Sequence, residues 1–371
     1  MKIYLTIVLA ILCHLGFSQV AKKDSVLLAM EEAIKTNPQK ADLYIERANM
    51  KRSAGDNAGA ATDYFKAIEL EPNNSKAYVE YARLNISQNN MQAAVFALNK
   101  AIEVNPQNPQ PYVELSKLNF RQRQINDALN NASKAIELDA NNFEAYMARG
   151  DVYSMMNKNT EALTDYNKAI SLGKSKLAND SAMAAGVYFN MAQCKMRLTK
   201  PAEALPFINK AIELGSNSKD INTAALYNMR GNIYQDQRKF QQAINDFNKS
   251  INLNPNYPYA YLSRAIAKVN MAENQNAKAY SPKTGGPAAF INLSPQNNLI
   301  ANKEHSSTIA SALKDCDKAI EMDPNMASAY YIRGQIKQTL KQNDFCEDLL
   351  KAQSLGIEVQ KDLLKKCAEA K

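Results

Sequence analysis

The side chains able to do chemistry are few and poorly spaced for it. Only two histidines occur, His14 and His305. His14 falls in a segment expected to be removed, and His305 stands alone in a polar stretch and reads as an exposed side chain, so a histidine-built metal cage is excluded. Cys13, Cys194, Cys316, Cys346 and Cys367 include no CxxC pair, and neither a zinc site nor a redox site is expected. An oxidising compartment permits a bond between Cys346 and Cys367 across the last helices, but the default reading is buried thiols at helix-packing positions, Cys316 above all. Gly285-Gly286 lacks the glycine spacing and the following Lys-Ser/Thr of a phosphate loop. No acid-base pair or activated nucleophile stands out, and no cofactor is expected.

Few as these residues are, the elements that carry them are strongly patterned. The stretch Ala41 to Asn74 returns in steps of 34: Tyr44, Ala48, Ala60, Tyr64, Ala67 and Pro72 become Tyr78, Ala82, Ala94, Leu98, Ala101 and Pro106. Tyr44 and Ala48 share one face of a first helix, and Ala60, Tyr64 and Ala67 share one face of a second. Gly55-Asp56-Asn57 breaks the two helices apart, and Pro72-Asn73-Asn74 ends the second. One such hairpin cannot bury its apolar face alone, so copies must stack.

Eight units start at Ala41, Ser75, Pro109, Phe143, Ala185, Ala224, Pro258 and Ala327. Residues 19–40 supply half a unit, with Met30, Ala33 and Pro38 in the places of Tyr64, Ala67 and Pro72, and cap the front. The repeats run over 41–356, and 357–371 reads as an amphipathic helix that closes the stack. Leu172-Gly173, Leu214-Gly215 and Leu355-Gly356 replace the terminal proline with a glycine helix stop. The seventh unit carries an insertion, 272–307, rich in asparagine and punctuated by Pro282, Pro287 and Pro295. It reads either as a tolerated loop or as a lid or docking arm, since Phe290, Ile291, Leu293, Leu299 and Ile300 are too apolar for a plain spacer.

Charges repeat as well. Arginine is the seventh residue of five units, Arg47, Arg149, Arg230, Arg264 and Arg333, and those units carry Asp63, Asp165, Asp246, Asp315 and Asp348 in the second helix. Units with Tyr81, Leu115 or Met191 have Ala97, Asn131 or Phe207 instead. Charge is on both helices or on neither, which predicts a structural Arg-Asp pair in each, including Arg264 with Asp315 across the insertion. The lysines at Lys66, Lys100, Lys134, Lys168, Lys210, Lys249, Lys318 and Lys351 read as a solvated face rather than a nucleic-acid surface.

Tyrosine is the fourth residue of every unit, and the eighth is always small: Ala48, Ala82, Ser116, Gly150, Ala192, Gly231, Ala265 and Gly334. With the 34-residue period and the terminal proline, the chain resembles the tetratricopeptide repeat family. The resemblance implies an all-α, right-handed superhelical solenoid whose first helices line a concave groove that holds extended peptides or helices. Transferred onto this chain, the groove is faced at its front by Asn49, Arg52, Arg83, Lys117, Phe120 and Arg121, and further on by Asp151, Gln193, Asn228 and Asn232. The front suits an acidic peptide or a terminal carboxylate, with plain solvated charge as the alternative for any single residue. The lysine-asparagine-arginine clamp that grips chaperone tails in some relatives is not matched, because Ile45 and Val79 stand where its first lysine would be.

The first 18 residues combine Lys2, an apolar run from Ile3 to Leu15 and small residues at Gly16 and Ser18, the layout of a secretory signal peptide. No second stretch is apolar enough to cross a membrane. Formal net charge is +8 and becomes +7 (8 minus 1) when Lys2 leaves; 46% of residues are hydrophobic and 22% charged, a globular composition. The expectation is an exported scaffold of the periplasm or cell envelope, or a secreted one, without enzymatic activity, that binds a protein or peptide and not nucleic acid. The alternatives are a binder of glycan or cell-wall polymer, for which Phe120 and Phe189 are few aromatics, and a non-catalytic subunit of an envelope enzyme complex. Intact-mass measurement of the exported chain should find Gln19 at its start; retention of Met1 in the exported form would refute the signal reading.

Overall fold

The computed structural model describes residues 27–216, 222–276 and 303–369. The expected signal peptide and most of the 272–307 insertion lie outside the described residues. Helix α1 spans 27–36, and the repeats follow as helix pairs: α2 (Ala41–Ser53) with α3 (Asn57–Leu70), α4 (Ser75–Ser87) with α5 (Met91–Val104), α6 (Gln110–Arg121) with α7 (Ile125–Leu138), then α8 (Phe143–Met155) and α9 (Asn159–Leu172). A short α10 (Lys174–Asn179) precedes α11 (Ser181–Arg197) with α12 (Pro201–Gly215), α13 (Thr223–Asp236) with α14 (Phe240–Leu253), α15 (Pro258–Asn276) with α16 (Lys303–Met322), α17 (Ala327–Thr339) with α18 (Phe345–Ser354), and α19 (Lys361–Glu369). All described elements are helical. The chain divides into two compact bodies, Met1–Val152 and Tyr153–Lys371.

Alanine makes the packing possible. Ala48, Ala60 and Ala67 are fully buried at the crossing of α2 and α3, and Tyr64 fills the space beside them. That core continues into Ile34 of α1 and into Ala77 and Leu84 of α4, so each pair is sealed by its neighbour. In the second body, Gly231 and Gly334 occupy the small eighth place for a stricter reason. A methyl group at Gly231 would stand 2.5 Å from the Phe247 ring, and one at Gly334 would press on Leu349 and the Phe345 carbonyl. At these two places the packed second helix leaves no room for even a methyl group.

The turn between the two helices of a unit is set by backbone rather than by composition. Its fifteenth residue takes the left-handed conformation in seven units: Gly55, Asn89, Arg123, Asn157, Thr199, Arg238 and Lys341 have φ between 57° and 85°. In each, the next amide donates to the carbonyl five residues back, as Asn90 to Asn85 and Lys200 to Lys195, which closes the first helix. Gly55 and, less strongly, Asn89 and Asn157 favour this conformation; Arg123, Thr199, Arg238 and Lys341 do not, so those turns are held by the stack. The glycine stops are corrected in part. Gly356 has φ +97°, but Gly173 has φ −89° and leads straight into α10, and Gly215 is the last residue of α12. The closing helix begins at Lys361 rather than at Ile357.

Cys346 and Cys367 form a disulfide between α18 and α19, with Cα atoms 5.4 Å apart. Buried thiols were the default expectation there; the stack ends by folding α19 back, which brings the two side chains together. Closing a loop of 21 residues stabilises the native state by roughly 3 kcal/mol in the chain-entropy view. Cys194 and Cys316 are buried thiols outside any disulfide, as expected, and burial pushes the Cys316 thiol up.

The Arg-Asp pairing forms as two-pronged forks. Arg47 grips Asp63 at 2.6 and 2.8 Å, and Arg230 grips Asp246 at 2.7 and 2.8 Å. Arg333 grips Asp348, and Arg264 reaches Asp315 at 2.5 and 2.9 Å although 51 residues separate them. The insertion therefore leaves the seventh hairpin intact. A second cation joins three of the carboxylates: Lys51 at Asp63, Lys268 at Asp315 and Lys337 at Asp348. The arginine also lies over the tyrosine three residues before it in all five units, at 5.3 to 5.6 Å, so the repeated Tyr44, Tyr146, Tyr227, Tyr261 and Tyr330 are platforms for guanidinium as well as filler.

The same arginines reach into the unit before. Arg230 donates to Asn209, Arg264 to Asn248 and Arg333 to Asp317, always the twenty-fifth place of the preceding unit or its equivalent. Where the arginine is replaced by Tyr81, that place holds Phe65, and the two rings sit 4.7 Å apart. A polar joint and an aromatic joint thus substitute for each other between units.

Asp63 is 2% exposed, whereas Lys66 and its partner Glu69 are in solvent. Asp63→Ala should cost about 3 kcal/mol of unfolding free energy because Arg47 and Lys51 lose their shared carboxylate. Lys66→Ala should cost less than about 0.5 kcal/mol. Urea denaturation with circular dichroism compares them; equal losses would refute the structural weight given to the pair.

Candidate functional site

The first helices carry the ten residues expected to face a partner. Within the first body, Asn49 and Arg52 come from α2, Arg83 from α4, and Lys117, Phe120 and Arg121 from α6. Their order follows from helical periodicity, since places nine, twelve and thirteen of a unit share a face. Asn49, Arg52, Arg83, Lys117 and Phe120 are half-buried, and Arg121 is exposed. Ile45 and Val79, at the fifth place, are core residues with 0% and 3% exposure, which explains why no lysine clamp is built there.

The front cations are paired within the chain. Arg52 meets Glu80 at 3.1 Å, and Glu80 meets Arg83 at 2.6 Å. Arg83 holds Glu114 with two donors at 2.8 and 2.9 Å and donates to Gln110 at 3.0 Å. Glu114 lies 3.5 Å from Lys117, which bonds Glu144 at 2.9 Å. The result is an alternating ladder, Arg52, Glu80, Arg83, Glu114, Lys117, Glu144, that runs from one unit to the next. Burial works against the Arg83 charge, but Glu114 and Glu80 overcome it and raise its pKa above the usual arginine value.

This corrects the expected basic stretch. The three cations face three carboxylates, so an acidic peptide finds no free positive row at Arg52, Arg83 and Lys117. The glutamates were visible one repeat ahead, 27 to 31 residues on from their partners, but only the stacked geometry makes them neighbours. Asn49 is likewise engaged, accepting from the Tyr64 hydroxyl at 2.6 Å, while burial pushes that phenol up to about 12.

The later expected residues are neutral or acidic. Asp151 is half-buried at the end of the first body. In the second body, Gln193 of α11 and Asn232 of α13 are half-buried, and Asn228 of α13 is 7% exposed. The rule of places that gives Asn228 and Asn232 also covers Gln235 and Asp236, at places twelve and thirteen of the same unit. Burial raises the Asp236 carboxyl above the usual carboxylate range. Among the described residues, no cluster of three His, Cys, Asp or Glu side chains suits a metal ion, and no helix is long and apolar enough to cross a membrane.

Comparison with known proteins agrees with this architecture. Three family profiles, each of the tetratricopeptide repeat, match residues 51–115, 143–173 and 180–256. A search of curated proteins finds no match. Among solved structures, a tetratricopeptide repeat protein from Parabacteroides merdae is 18% identical, with 80% of this chain and 98% of that one covered and a TM-score of 0.50. PilW, described as a widely conserved type IV pilus biogenesis factor, is 15% identical over 70% of this chain and 97% of its own, at 0.51. The Cut9–Hcn1 hetero-tetramer of the APC/C is 14% identical, covering 93% of this chain and 59% of that one, at 0.53. At these identities the likeness is one of fold.

The ladder makes a quantitative demand. A double-mutant cycle on Arg83→Ala and Glu114→Ala, read by urea unfolding, should give a coupling energy of about 1 to 3 kcal/mol. A coupling near zero would mean that the pair is not formed in solution.

Proposed function

We propose that the chain, which matches tetratricopeptide-repeat profiles in three stretches and folds as an all-helical stack of paired helices, is a tetratricopeptide-repeat protein and an exported scaffold that captures a protein partner, as an extended peptide or a helix, along the face of its first helices. The observation that carries this reading is the ion-pair ladder from Arg52 to Glu144, which fixes long side chains on that face before any partner arrives. Side chains already held in place lose little entropy on binding. An acidic partner would have to displace Glu80, Glu114 or Glu144, so the preference for acid expected from the cations alone is not kept. Repeat proteins of this family are typically non-catalytic, and the scaffold needs no cofactor.

Export is supported by the Met1–Ser18 pattern and by the Cys346–Cys367 disulfide, a bond that persists in oxidising compartments. The periplasm or cell envelope fits both, and PilW offers a relative in fold with a task in pilus biogenesis.

The test is affinity capture from an envelope extract with the Gln19–Lys371 chain as bait. A Phe120→Ala/Arg121→Glu bait should hold the partner at least about tenfold less well, a loss of about 1.4 kcal/mol. A bait with Lys66, Lys100 and Lys134 changed to glutamate, on the second helices, should hold it unchanged. Equal capture by all three baits would overturn the first-helix assignment.

A further inference from the structure

The front of the stack ends on an unfinished joint. The third and tenth residues of a unit are buried in every unit from the second to the eighth, as at Ala77 and Leu84 or Ala329 and Ile336. Ala77 and Leu84 share one core with the unit before, which covers them. In the first unit these places hold Leu43 and Met50, and both are only half-buried. Helix α1 shows the same gap from its own side. Ala67 and its seven equivalents are fully buried, packed by the first helix of their own unit. Their counterpart Ala33 in α1 is half-buried, and Ala29, at the place of Asp63 and Ala97, is exposed. Both edges lack one element, the first helix that would pair with α1.

Charge is unanswered at the same edge. Glu80 and Glu114, the sixth residues of the second and third units, each accept from an arginine of the unit before, Arg52 and Arg83. Glu46, the sixth residue of the first unit, is exposed and has no ion pair among the described residues. These neighbours define the helix that fits. Its eighth residue is small, so that its backbone approaches Ala29 and Ala33 closely. Its seventh is apolar or aromatic, because Ala29 stands where a seventh-place arginine would need an aspartate. Its ninth is arginine or lysine, to meet Glu46 as Arg83 meets Glu114. Within the chain α4 carries this pattern as Tyr81-Ala82-Arg83, and it packs on Ala97, the counterpart of Ala29.

We propose that the edge formed by Ala29 and Ala33 of α1 with Leu43, Glu46 and Met50 of α2 docks a helix of a partner protein, which completes the half-unit as its missing first helix. This surface is separate from the ladder face and does not depend on it. Covering Leu43 and Met50, as Ala77 and Leu84 are covered, removes apolar surface from water and drives the association. Glu46 sets the register by selecting the basic ninth residue. The exported chain does not fill the edge itself: only residues 19–26 precede α1, whereas α6, the shortest described first helix, takes 12 residues before its turn. A second copy lacks the same helix and so has none to spare.

Fluorescence anisotropy with the Gln19–Lys371 chain tests this, using a labelled, end-blocked peptide of residues 75–87, the α4 sequence. It should bind at least about tenfold more tightly than a scrambled peptide of the same composition. A helix of 13 residues is marginal alone, so the peptide should gain helical dichroism on binding. Ala82→Leu in the peptide, which holds the backbones apart, and Arg83→Glu should each remove the tenfold difference. Glu46→Lys in the chain should restore binding of the Arg83→Glu peptide and weaken that of the unchanged one. A peptide that merely displaced α4 would not show this reversal, because Arg83 there meets Glu114. Binding no better than that of the scrambled peptide, or an Arg83→Glu loss that Glu46→Lys fails to reverse with the chain's helical dichroism intact, would overturn the proposal. Sedimentation as a dimer that the peptide dissociates would overturn it in favour of a second copy, and loss of binding in the Met1–Lys371 chain in favour of residues 1–18.

Discussion

Each helix pair in this chain has two apolar sides and only one partner of its own. It must therefore borrow a surface from the next pair, and every other feature follows from that debt. Alanine and glycine at the eighth place set how closely the two helices approach, as the Gly231 and Phe247 contact shows. The half-unit α1 packs on the core of the first pair, and the disulfide-bonded α19 packs on that of the last.

Against that apolar frame the charges are placed where burial gives them leverage. A carboxylate such as Asp63 or Asp348 lies almost out of water and is held by an arginine fork, with a lysine as second cation. The arginine is in turn laid over a tyrosine and tied to the preceding unit. One side chain thereby fixes the angle within a hairpin and the angle between hairpins. That arrangement also explains why the joint at Phe65 and Tyr81 is aromatic, since a unit without the arginine needs another way to set the same angle.

The surface left over has two characters. In the first body the first-helix face is rich in charge, and the ladder returns Arg52, Arg83 and Lys117 to carboxylates while Arg121 stands exposed beside it. In the second body α13 buries two amide oxygens, Asn228 Oδ1 and Gln235 Oε1, that no group among the described residues answers. The first arrangement provides a stiff, wettable wall. A peptide lying along such a wall needs few anchors to be held specifically.

The period of 34, the helix pairs, the small eighth residue and the Arg-Asp forks were all legible in the chain. Those features join residues within one hairpin or recur in every copy, so repetition itself reveals them. The ladder was not legible, because Arg83 and Glu114 meet only after two units are stacked at a particular angle. Nor were the left-handed turns at Arg123 or Thr199, where the residue type argues against the conformation and the packed helices impose it. The Cys346–Cys367 bond depended on where the last helix turns back, and the orphan oxygens of α13 on which atoms stacking buries. Local pattern determined what each unit is made of; only the stacking of one unit on the next decided which charges cancel and which acceptors are left unanswered, since both depend on distances between segments that the chain alone does not bring together.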